Sequence, residues 1–228
     1  MNEYTIPQVA ATIDHAVLKP NQTEDDVRTH AELCIQYGVA SMCVRPCDIR
    51  LAAGLLQDSG ILVSSVLSFP HGHDSSATKV FQAREAIESG TEEIDMVMNI
   101  GAFLSGNHAY VLDDIAGVVA LAHAHGVRVK VIQESCFLTL EQVGKACEIA
   151  WEAEADFVKT STGFGPSSAT PEIIEKMVQT VGGKMGIKAS GGIRTWEHAV
   201  GYLRQGATRL GIGDTKAVLE GKSSTGDY

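Results

Sequence analysis

Short apolar runs alternate with amphipathic stretches along almost the whole chain, and a glycine often separates the two. AELCIQYG precedes VASMCV, AGLLQDSG precedes ILVSSVLSF, and ALAHAHG precedes VRVKVI. Glycine after the last helical turn is a common helix end, and near-continuous apolar runs are typical of strands that are buried on both faces. The pattern therefore predicts the strands of a parallel sheet, each connected to the next by a helix.

The number of apolar runs distinguishes between two architectures. Eight runs qualify as strands: TIDHAVL, VASMCV, ILVSSVLSF, TEEIDMVM, VRVKVI, DFVKTS, KMGIKAS and ATRLGIG. Eight strands alternating with helices indicate a single (β/α)8 TIM barrel, and an open doubly wound sheet is the second possibility. Polar and glycine-rich residues recur where several runs end, and barrel enzymes carry their sites there, so we favour the barrel. We expect residues 1–220 to form this barrel and residues 221–228 to form a flexible C-terminal tail.

Hydroxyl side chains stand before several of the amphipathic stretches. A threonine or serine in this position can accept a hydrogen bond from a backbone N–H of the first helical turn. The sequence therefore predicts helix N-caps at Thr23, Ser76, Thr139, Thr170 and Thr195.

Two lysines lie inside apolar runs, Lys159 in ADFVKTSTG and Lys188 in MGIKASGG. An ammonium in a buried strand is unfavourable unless its charge is removed, paired or used. A second ammonium about 6 Å away, at an effective dielectric constant of about 20, adds roughly 3 kcal/mol of repulsion and so favours one uncharged amine. A nucleophilic lysine must be uncharged. For either lysine alone, an ordinary ion pair with a carboxylate at the strand end is the alternative interpretation.

Strand alternation predicts which side chains point into the barrel. Ile94, Met96 and Met98 would face the helices, which leaves Asp95 directed inward, and the same reasoning directs Lys159 and Lys188 inward. An acid and two amines would then meet at the barrel mouth. Lys130 also lies in an apolar run, and the sequence does not rank it below the other two lysines. Its alternative role is that of a buried partner for Glu134 or Asp95.

Glycine-rich segments follow the last three runs: TGFGP, SGGIRT and LGIGDT. Exposed backbone N–H groups near helix N-termini bind anions, phosphate above all. Barrels often hold phosphate in the loops after strands seven and eight. Three such clusters in these loops indicate a phosphate-binding site, although glycine in a tight turn can also serve the backbone alone.

Composition and charge exclude several classes of function. The 228 residues carry a formal net charge of −10, which argues against a nucleic-acid-binding face. No apolar stretch is long enough to span a membrane, and the N-terminus lacks the pattern of a signal peptide. The five cysteines are odd in number and lack paired metal-binding spacing, which suits a reducing cytoplasm. His71 and His73 have an HxH spacing without further ligands, so we expect no metal.

Six segments occur in the order typical of one enzyme family: IDHAVLKP, SMCVRP, EIDMVMNIGA, KVIQES, VKTSTGF and KASGGIRT. Over nearly its whole length the chain resembles the deoxyribose-phosphate aldolases. The resemblance implies a class I aldolase on a (β/α)8 barrel that needs no metal or cofactor. Such an enzyme reversibly cleaves 2-deoxy-D-ribose 5-phosphate to D-glyceraldehyde 3-phosphate and acetaldehyde. The resemblance also suggests that the protein is a homodimer. Its other binding partners would be small aldehydes or sugar phosphates.

The resemblance assigns roles to individual residues of this chain. Lys159 would form the Schiff base, and Lys188 would be the neighbouring cation that favours its uncharged form. Asp95 would exchange protons with the substrate, Asp14 would belong to the same polar network, and Thr162 would help to position the substrate hydroxyls.

The resemblance also implies a phosphate site and a functional tail. The phosphate site would comprise Gly163, Gly191, Gly192, Ile193, Arg194, Gly211, Gly213 and Asp214. Asp214 departs from the family pattern, in which serines are common at this loop. A carboxylate there adds negative charge, so we expect weaker dependence on the phosphate and relaxed acceptance of unphosphorylated aldehydes. The terminal Tyr228 resembles tail tyrosines that assist proton transfer in the family.

Three other functions remain possible at this point. A Schiff-base lyase acting on another sugar phosphate, or on unphosphorylated aldehydes, would use the same lysines. A catalytically silent barrel would bind a phosphorylated metabolite without forming a covalent adduct. A metal-dependent hydrolase would lose its activity in the presence of a chelator.

Overall fold

The computed structural model describes residues 4–224, and within them each of the eight predicted runs contains a strand. The bounds of the strands are β1 Ile13–Val17, β2 Ser41–Val44, β3 Leu62–Leu67, β4 Glu93–Val97, β5 Arg128–Ile132, β6 Phe157–Lys159, β7 Gly186–Ser190 and β8 Arg209–Ile212.

Helices connect the strands and surround them. Their bounds are α1 Ile6–Ala10, α2 Glu24–Tyr37, α3 Ile49–Leu56, α4 Ser76–Glu88, α5 Ile100–Leu104, α6 His108–His123, α7 Leu140–Glu152, α8 Pro171–Val181, α9 Trp196–Gln205 and α10 Thr215–Leu219. Within residues 4–224, none of these helices has the length and apolarity that crossing a membrane requires.

The eight strands form a closed barrel in which every neighbouring pair is parallel. Closure occurs between β1 and β8, where Asp14 lies opposite Gly211. The predicted TIM barrel is therefore confirmed, and the alternative of an open doubly wound sheet is wrong. Because all strands run in the same direction, their carboxyl ends meet at one mouth of the barrel, where the predicted site residues lie.

The two faces of each strand have opposite chemical character. The helix-facing side chains, such as Ile94, Met96 and Ile187, are at most 1% exposed and belong to one large apolar core. The inward faces carry buried charged groups instead, including Asp95 and Lys159. The helix layer thus provides the apolar burial that stabilises the fold, and the barrel interior provides the chemistry.

Hydroxyl caps begin several of the helices. Thr23, Thr139, Thr170 and Thr195 each accept a hydrogen bond from a backbone N–H of the helix that follows, as predicted. The prediction for Ser76 is wrong by one residue. Ser75 has the extended backbone of an N-cap and accepts from Thr78 N, while Ser76 is the first residue of α4. The side chain of Ser76 instead donates to a buried carboxylate on a neighbouring helix.

Candidate active site

Asp95 on β4 is the centre of a buried ionic cluster inside the barrel. Lys159 Nζ and Lys188 Nζ both donate to the same oxygen, Asp95 Oδ2, each over 2.7 Å. Lys130 Nζ donates to the other oxygen, Oδ1, over 2.9 Å. All four residues are at most 1% exposed. The acid and the two amines that alternation directed inward therefore do meet.

The strand register explains why Lys159 and Lys188 converge. The two lysines are directly opposite each other on the neighbouring strands β6 and β7. On β8, Gly211 leaves room for the stem of Lys188, because an added Cβ would lie 3.4 Å from Lys188 Cε and only 2.7 Å from Ser190 Cβ. Gly211 therefore packs beside the lysine, and its predicted contact with phosphate stays a prediction.

A second set of carboxylates lies deeper in the barrel. Asp14 Oδ2 is 2.5 Å from Lys188 Nζ, and its Oδ1 accepts from Arg209 over 2.5 Å. Glu93 pairs with Lys130 at 2.6 Å and with Arg209 at 2.8 Å. Lys130 is therefore a buried partner of Asp95, one of the two predicted alternatives, and of Glu93, which was not foreseen.

Glu134, the other partner predicted for Lys130, has a different role. Its carboxylate accepts a 3.1 Å hydrogen bond from Thr162 N and a short one from Thr162 Oγ1. Thr162 Oγ1 in turn accepts from Phe164 N over 3.0 Å. Glu134 is buried and has a left-handed backbone with φ 49°, which is uncommon for a residue other than glycine. The carboxylate thus fixes the turn that follows β6, including the predicted site residue Thr162.

Charge is not balanced within the buried cluster. It contains four cations and three carboxylates: Lys130, Lys159, Lys188 and Arg209 against Asp14, Glu93 and Asp95. A fifth cation, Arg128, reaches Glu93 from a more exposed position. Buried charges are tolerated when they are paired, so an excess of positive charge is unfavourable. Removing one proton from one lysine would leave the seven buried groups neutral overall.

The electrostatic environment keeps the carboxylates ionised. Burial alone would raise the pKa of Asp95, but the charges of Lys130, Lys159 and Lys188 outweigh it and hold this pKa well below its usual range. The pKa of Asp14 is lowered against the same effect of burial, chiefly by Lys130 and Lys188. For Lys130, burial favours the neutral amine, but the surrounding carboxylates raise its pKa. Lys130 therefore remains a structural cation.

Two of the predicted phosphate loops, those after β6 and β7, lie against each other at the mouth. Gly163, Gly191 and Gly192 have left-handed backbones with φ 87°, 78° and 69°. A Cβ added to Gly191 would lie 2.6 Å from Ser168 Oγ, so this serine lies against the glycine turn after β7. Left-handed glycine turns expose backbone N–H groups that can bind an anion. Ser168 adds a hydroxyl at this position, which the sequence analysis missed.

The other predicted phosphate residues differ in exposure. Ile193 is buried, whereas the side chain of Arg194 is exposed to solvent beside the same turn. Gly213 and Asp214 follow β8, and Asp214 Oδ1 accepts from Ala217 N over 3.1 Å. This carboxylate therefore caps the short helix α10 itself. Tyr228, the predicted tail residue, lies outside the described residues.

Ser161 is a further residue that the sequence analysis did not assign to the site. It lies two positions after Lys159, so strand alternation places it on the same inward face. Ser161 is buried, and its Oγ has no hydrogen-bond partner among residues 4–224. A buried hydroxyl without a partner is unusual and is available to a ligand. Strand alternation is the sequence signal that could have identified this residue.

The two histidines with HxH spacing show no metal-binding arrangement. The rings of His71 and His73 are stacked, with centroids 5.3 Å apart. Across the described part of the chain, no group of three or more histidine, cysteine or acidic side chains could hold a metal ion.

Comparison with known proteins gives consistent results. A family model described as DeoC/LacD family aldolase matches residues 8–215. A relative from Thermococcus gammatolerans, named deoxyribose-phosphate aldolase, is 47% identical over 215 residues, which are 93% of this chain and 96% of the relative. A relative of the same name from Caldanaerobacter subterraneus is 45% identical over 219 residues, covering 96% and 95% of the two chains. A solved structure from Aeropyrum pernix is described as a tetrameric deoxyribose phosphate aldolase. It superposes on this chain with a TM-score of 0.89 at 31% sequence identity, and the match covers 95% of this chain and 91% of that chain.

Proposed function

This chain belongs to the DeoC/LacD family of aldolases, and we propose that it cleaves 2-deoxy-D-ribose 5-phosphate reversibly to D-glyceraldehyde 3-phosphate and acetaldehyde. Relatives at 44–47% identity bear the name of this activity. The observation that carries the proposal is the sharing of one carboxylate oxygen by Lys159 and Lys188 inside a cluster with one excess buried cation. Such a cluster favours the loss of one lysine proton, which a Schiff-base nucleophile requires.

Lys159 is the lysine that we assign to the Schiff base. Its Nζ has one carboxylate partner, Asp95, whereas Lys188 is paired with both Asp95 and Asp14. Loss of the Lys159 proton therefore gives up the fewest ion pairs. Lys188, which is paired with both Asp14 and Asp95, then remains beside the free amine as the neighbouring cation.

The chemical cycle follows from this arrangement. The neutral amine of Lys159 attacks the aldehyde carbon of the open-chain sugar, and loss of water gives an iminium ion. Asp95, through a water molecule, removes the proton of the C3 hydroxyl, so the bond between C2 and C3 breaks and its electron pair moves into the iminium. Glyceraldehyde 3-phosphate leaves, and an enamine remains on Lys159. Protonation of the enamine carbon and hydrolysis of the resulting imine release acetaldehyde and restore the amine.

In this scheme Thr162 orients a substrate hydroxyl, and Glu134 positions Thr162. The proton of Thr162 Oγ1 is committed to Glu134, so toward a substrate this hydroxyl can only accept a further hydrogen bond. It would therefore orient a substrate hydroxyl by accepting its proton in a hydrogen bond. Glu134 acts through Thr162 and is a positioning residue.

Reductive trapping tests the assignment of the nucleophile. The enzyme is incubated with acetaldehyde and borohydride, digested, and mapped by mass spectrometry. The expected product is an ethyl group on Lys159, with Lys79, another fully buried lysine, as the unlabelled internal control. An enzyme that cleaves the sugar while Lys159 remains unmodified would contradict the proposal. Product analysis separates the aldolase from a lyase that acts on another sugar phosphate.

We propose that the phosphate lies against the glycine turns of Gly163, Gly191 and Gly192, with Ser168 and Arg194 beside it. Asp214 places a carboxylate at the neighbouring loop, where it would repel a phosphate dianion. We therefore propose that dependence on the phosphate is weaker than in relatives with serine at this position. A homodimer, a cytoplasmic location and a proton-transfer role for Tyr228 remain predictions from the sequence.

A further inference from the structure

A cavity of about 170 Å³ lies beside the barrel mouth, between the end of β1 and the loop that joins β8 to α10. Its lining residues are Ala16, Leu18, Lys19, Gln22, His30, Gly213 and Asp214. A cavity of about 150 Å³ accommodates a benzene-sized molecule. The space beside the mouth is therefore large enough for a ligand fragment of roughly six non-hydrogen atoms.

This cavity adjoins the apolar wall of the barrel interior. Ala16 and Leu18 pack in one cluster with Cys43 and Val66, and Ala16 is directly opposite Cys43 in the strand register. Val66 of the same cluster is directly opposite Asp95 in the register of β3 and β4, so the cluster lies beside the carboxylate that Lys159 contacts. A substrate held on Lys159 could thus extend past Cys43 and Ala16 into the cavity.

A chain of neutral polar groups reaches the cavity wall at His30 and Gln22. His15 Nδ1 is 2.8 Å from Thr215 Oγ1, and His15 Nε2 is 2.7 Å from His30 Nδ1. The remaining nitrogen of His30, Nε2, has only a long 3.4 Å contact with Gln22 Nε2. Burial lowers the pKa of His30, so the imidazole is neutral at neutral pH. His30 therefore presents an uncharged polar atom whose hydrogen bonding is weak.

The cavity lining contains two charged groups of opposite sign, Lys19 and Asp214. Lys19 contributes one ammonium, which makes no ion pair with any residue from 4 to 224. Asp214 contributes one carboxylate, and only its Oδ1 is used in capping α10. A single ammonium opposite a carboxylate does not suit a phosphate dianion. Hydroxyl groups do suit this lining, because each can donate to Asp214 and accept from Lys19.

We propose that this cavity binds the hydroxyl-bearing end of unphosphorylated aldehydes, with neutral hydroxyaldehydes as its substrate class. The inference rests on the proposed aldolase function. It adds to the glycine turns a second place where the acceptor aldehyde can bind with the end that points away from Lys159. Phosphorylated acceptors bind at the glycine turns of Gly163, Gly191 and Gly192, whereas hydroxylated ones without phosphate extend toward Lys19 and Asp214.

The test compares two acceptors of equal carbon number, D-glyceraldehyde and propanal, in synthesis with acetaldehyde as donor. Lys19→Met keeps most of the side-chain stem but removes the ammonium. The ratio of kcat/KM for glyceraldehyde to that for propanal should fall about tenfold, as expected for loss of a hydrogen bond from a charged donor. Lys145→Met, which removes an exposed ammonium on α7, is the matched control and should leave the ratio unchanged.

A second variant guards against a local folding defect at Lys19. Asp214→Asn keeps a side chain that caps helices well and removes only the charge, and it should also lower the ratio. Wild-type ratios in both folded variants would overturn the cavity proposal while leaving the aldolase function intact. A wild-type enzyme that fails to cleave 2-deoxy-D-ribose 5-phosphate in the same preparation would overturn both.

Discussion

Two regions of the molecule bury a lysine completely, and they do so in different ways. Between α4 and α6, Lys79 Nζ lies 2.5 Å from Asp114 Oδ2 and donates to Val97 O over 3.0 Å. Asp114 also accepts from Ser76 Oγ over 2.7 Å. Inside the barrel, the carboxylate that Lys159 contacts is shared with two other ammonium groups.

The difference shows that burial alone does not identify a reactive lysine. Lys79 has its own carboxylate and a backbone acceptor, so its ammonium is balanced by one opposite charge. The barrel cluster has four buried cations for three carboxylates, so one of its lysines lacks a full counter-charge. We infer that the excess of cations, and not the depth of burial, distinguishes the chemical site from the structural pair.

The largest expected effect is a difference in kcat between variants of the two buried lysines, Lys159 and Lys79. Lys159→Met removes the nucleophile, so kcat should fall by roughly 1,000-fold or more, equivalent to about 4 kcal/mol of transition-state stabilisation. Lys79→Met removes a buried ammonium of the same kind outside the barrel. Steady-state cleavage of 2-deoxy-D-ribose 5-phosphate, corrected for the folded fraction, measures both variants.

The matched pair also shows how the comparison could fail. The folded Lys79→Met enzyme should retain kcat within about twofold, because within residues 4–224 the Lys79 ammonium donates only to a helix carboxylate and to the Val97 carbonyl. A Lys159→Met enzyme with near wild-type turnover would remove the chemical role assigned to the barrel cluster. Equal losses in both variants would mean that any buried lysine matters through stability alone.

Local patterns were sufficient to predict the barrel and the inward direction of its central charges. Asp95, Lys159 and Lys188 could be placed together because strand alternation depends only on neighbouring positions, and the closed barrel brings the strand ends to one mouth. The pairing of Lys130 with Glu93 depends on strand register and on side-chain length, which a single sequence does not encode locally. For the same reason, Glu134 could not be recognised as the residue that holds Thr162.

Contacts between loops and between helices were also beyond the sequence. Ser168 lies against Gly191 only because the loops after β6 and β7 fold over each other. Lys79 was not singled out, because it lies in an amphipathic helix where an exposed lysine is the ordinary expectation. Its partner Asp114 is 35 residues away on another helix, and only the packing of α4 on α6 joins the two.

The second expected effect concerns the stability of the helix pair. Asp114→Asn leaves the Lys79 ammonium buried without a counter-charge, which should lower the free energy of unfolding by about 3–5 kcal/mol. The measurement is urea-induced unfolding at neutral pH, with Asp113→Asn as the control because Asp113 is the exposed neighbour on the same helix. The double variant Lys79→Met with Asp114→Leu should recover most of the loss. If the single variant were as stable as the wild type, the Lys79 and Asp114 pair would not be structurally important.

A third effect concerns how the free energy of unfolding depends on pH, which differs between a buried neutral histidine and the buried carboxylates. Burial lowers the pKa of His15 from 6.5 to about 3, so the unfolded chain binds a proton in this range that the folded protein does not. Stability should therefore fall as the pH falls from 6.5 toward 3, by about 2 kcal/mol between pH 7.5 and pH 5. The carboxylates Asp14 and Asp95 have lowered pKa values, so their contribution is lost only below about pH 4.

Variants at His15 assign this pH dependence. His15→Asn has no titrating ring, so the part of the stability loss between pH 7.5 and pH 5 that comes from His15 should disappear in urea unfolding. His198→Asn, at an exposed position on α9, should retain the wild-type slope. An unchanged slope in His15→Asn would mean that other groups cause the acid sensitivity.

The smallest expected effect concerns a charge that is outside both buried regions. Asp214 is partly exposed, so solvent screens its repulsion of a phosphate, and we expect a change of about threefold to tenfold in substrate preference. Asp214→Ser keeps a residue that can cap α10 and removes the negative charge. The ratio of kcat/KM for deoxyribose 5-phosphate to that for deoxyribose should rise in this variant, through a lower KM for the phosphorylated sugar.

Asp113→Ser, which removes an exposed carboxylate on α6, should leave the ratio at its wild-type value. An identical ratio in Asp214→Ser and the wild type would show that this carboxylate does not act on the phosphate.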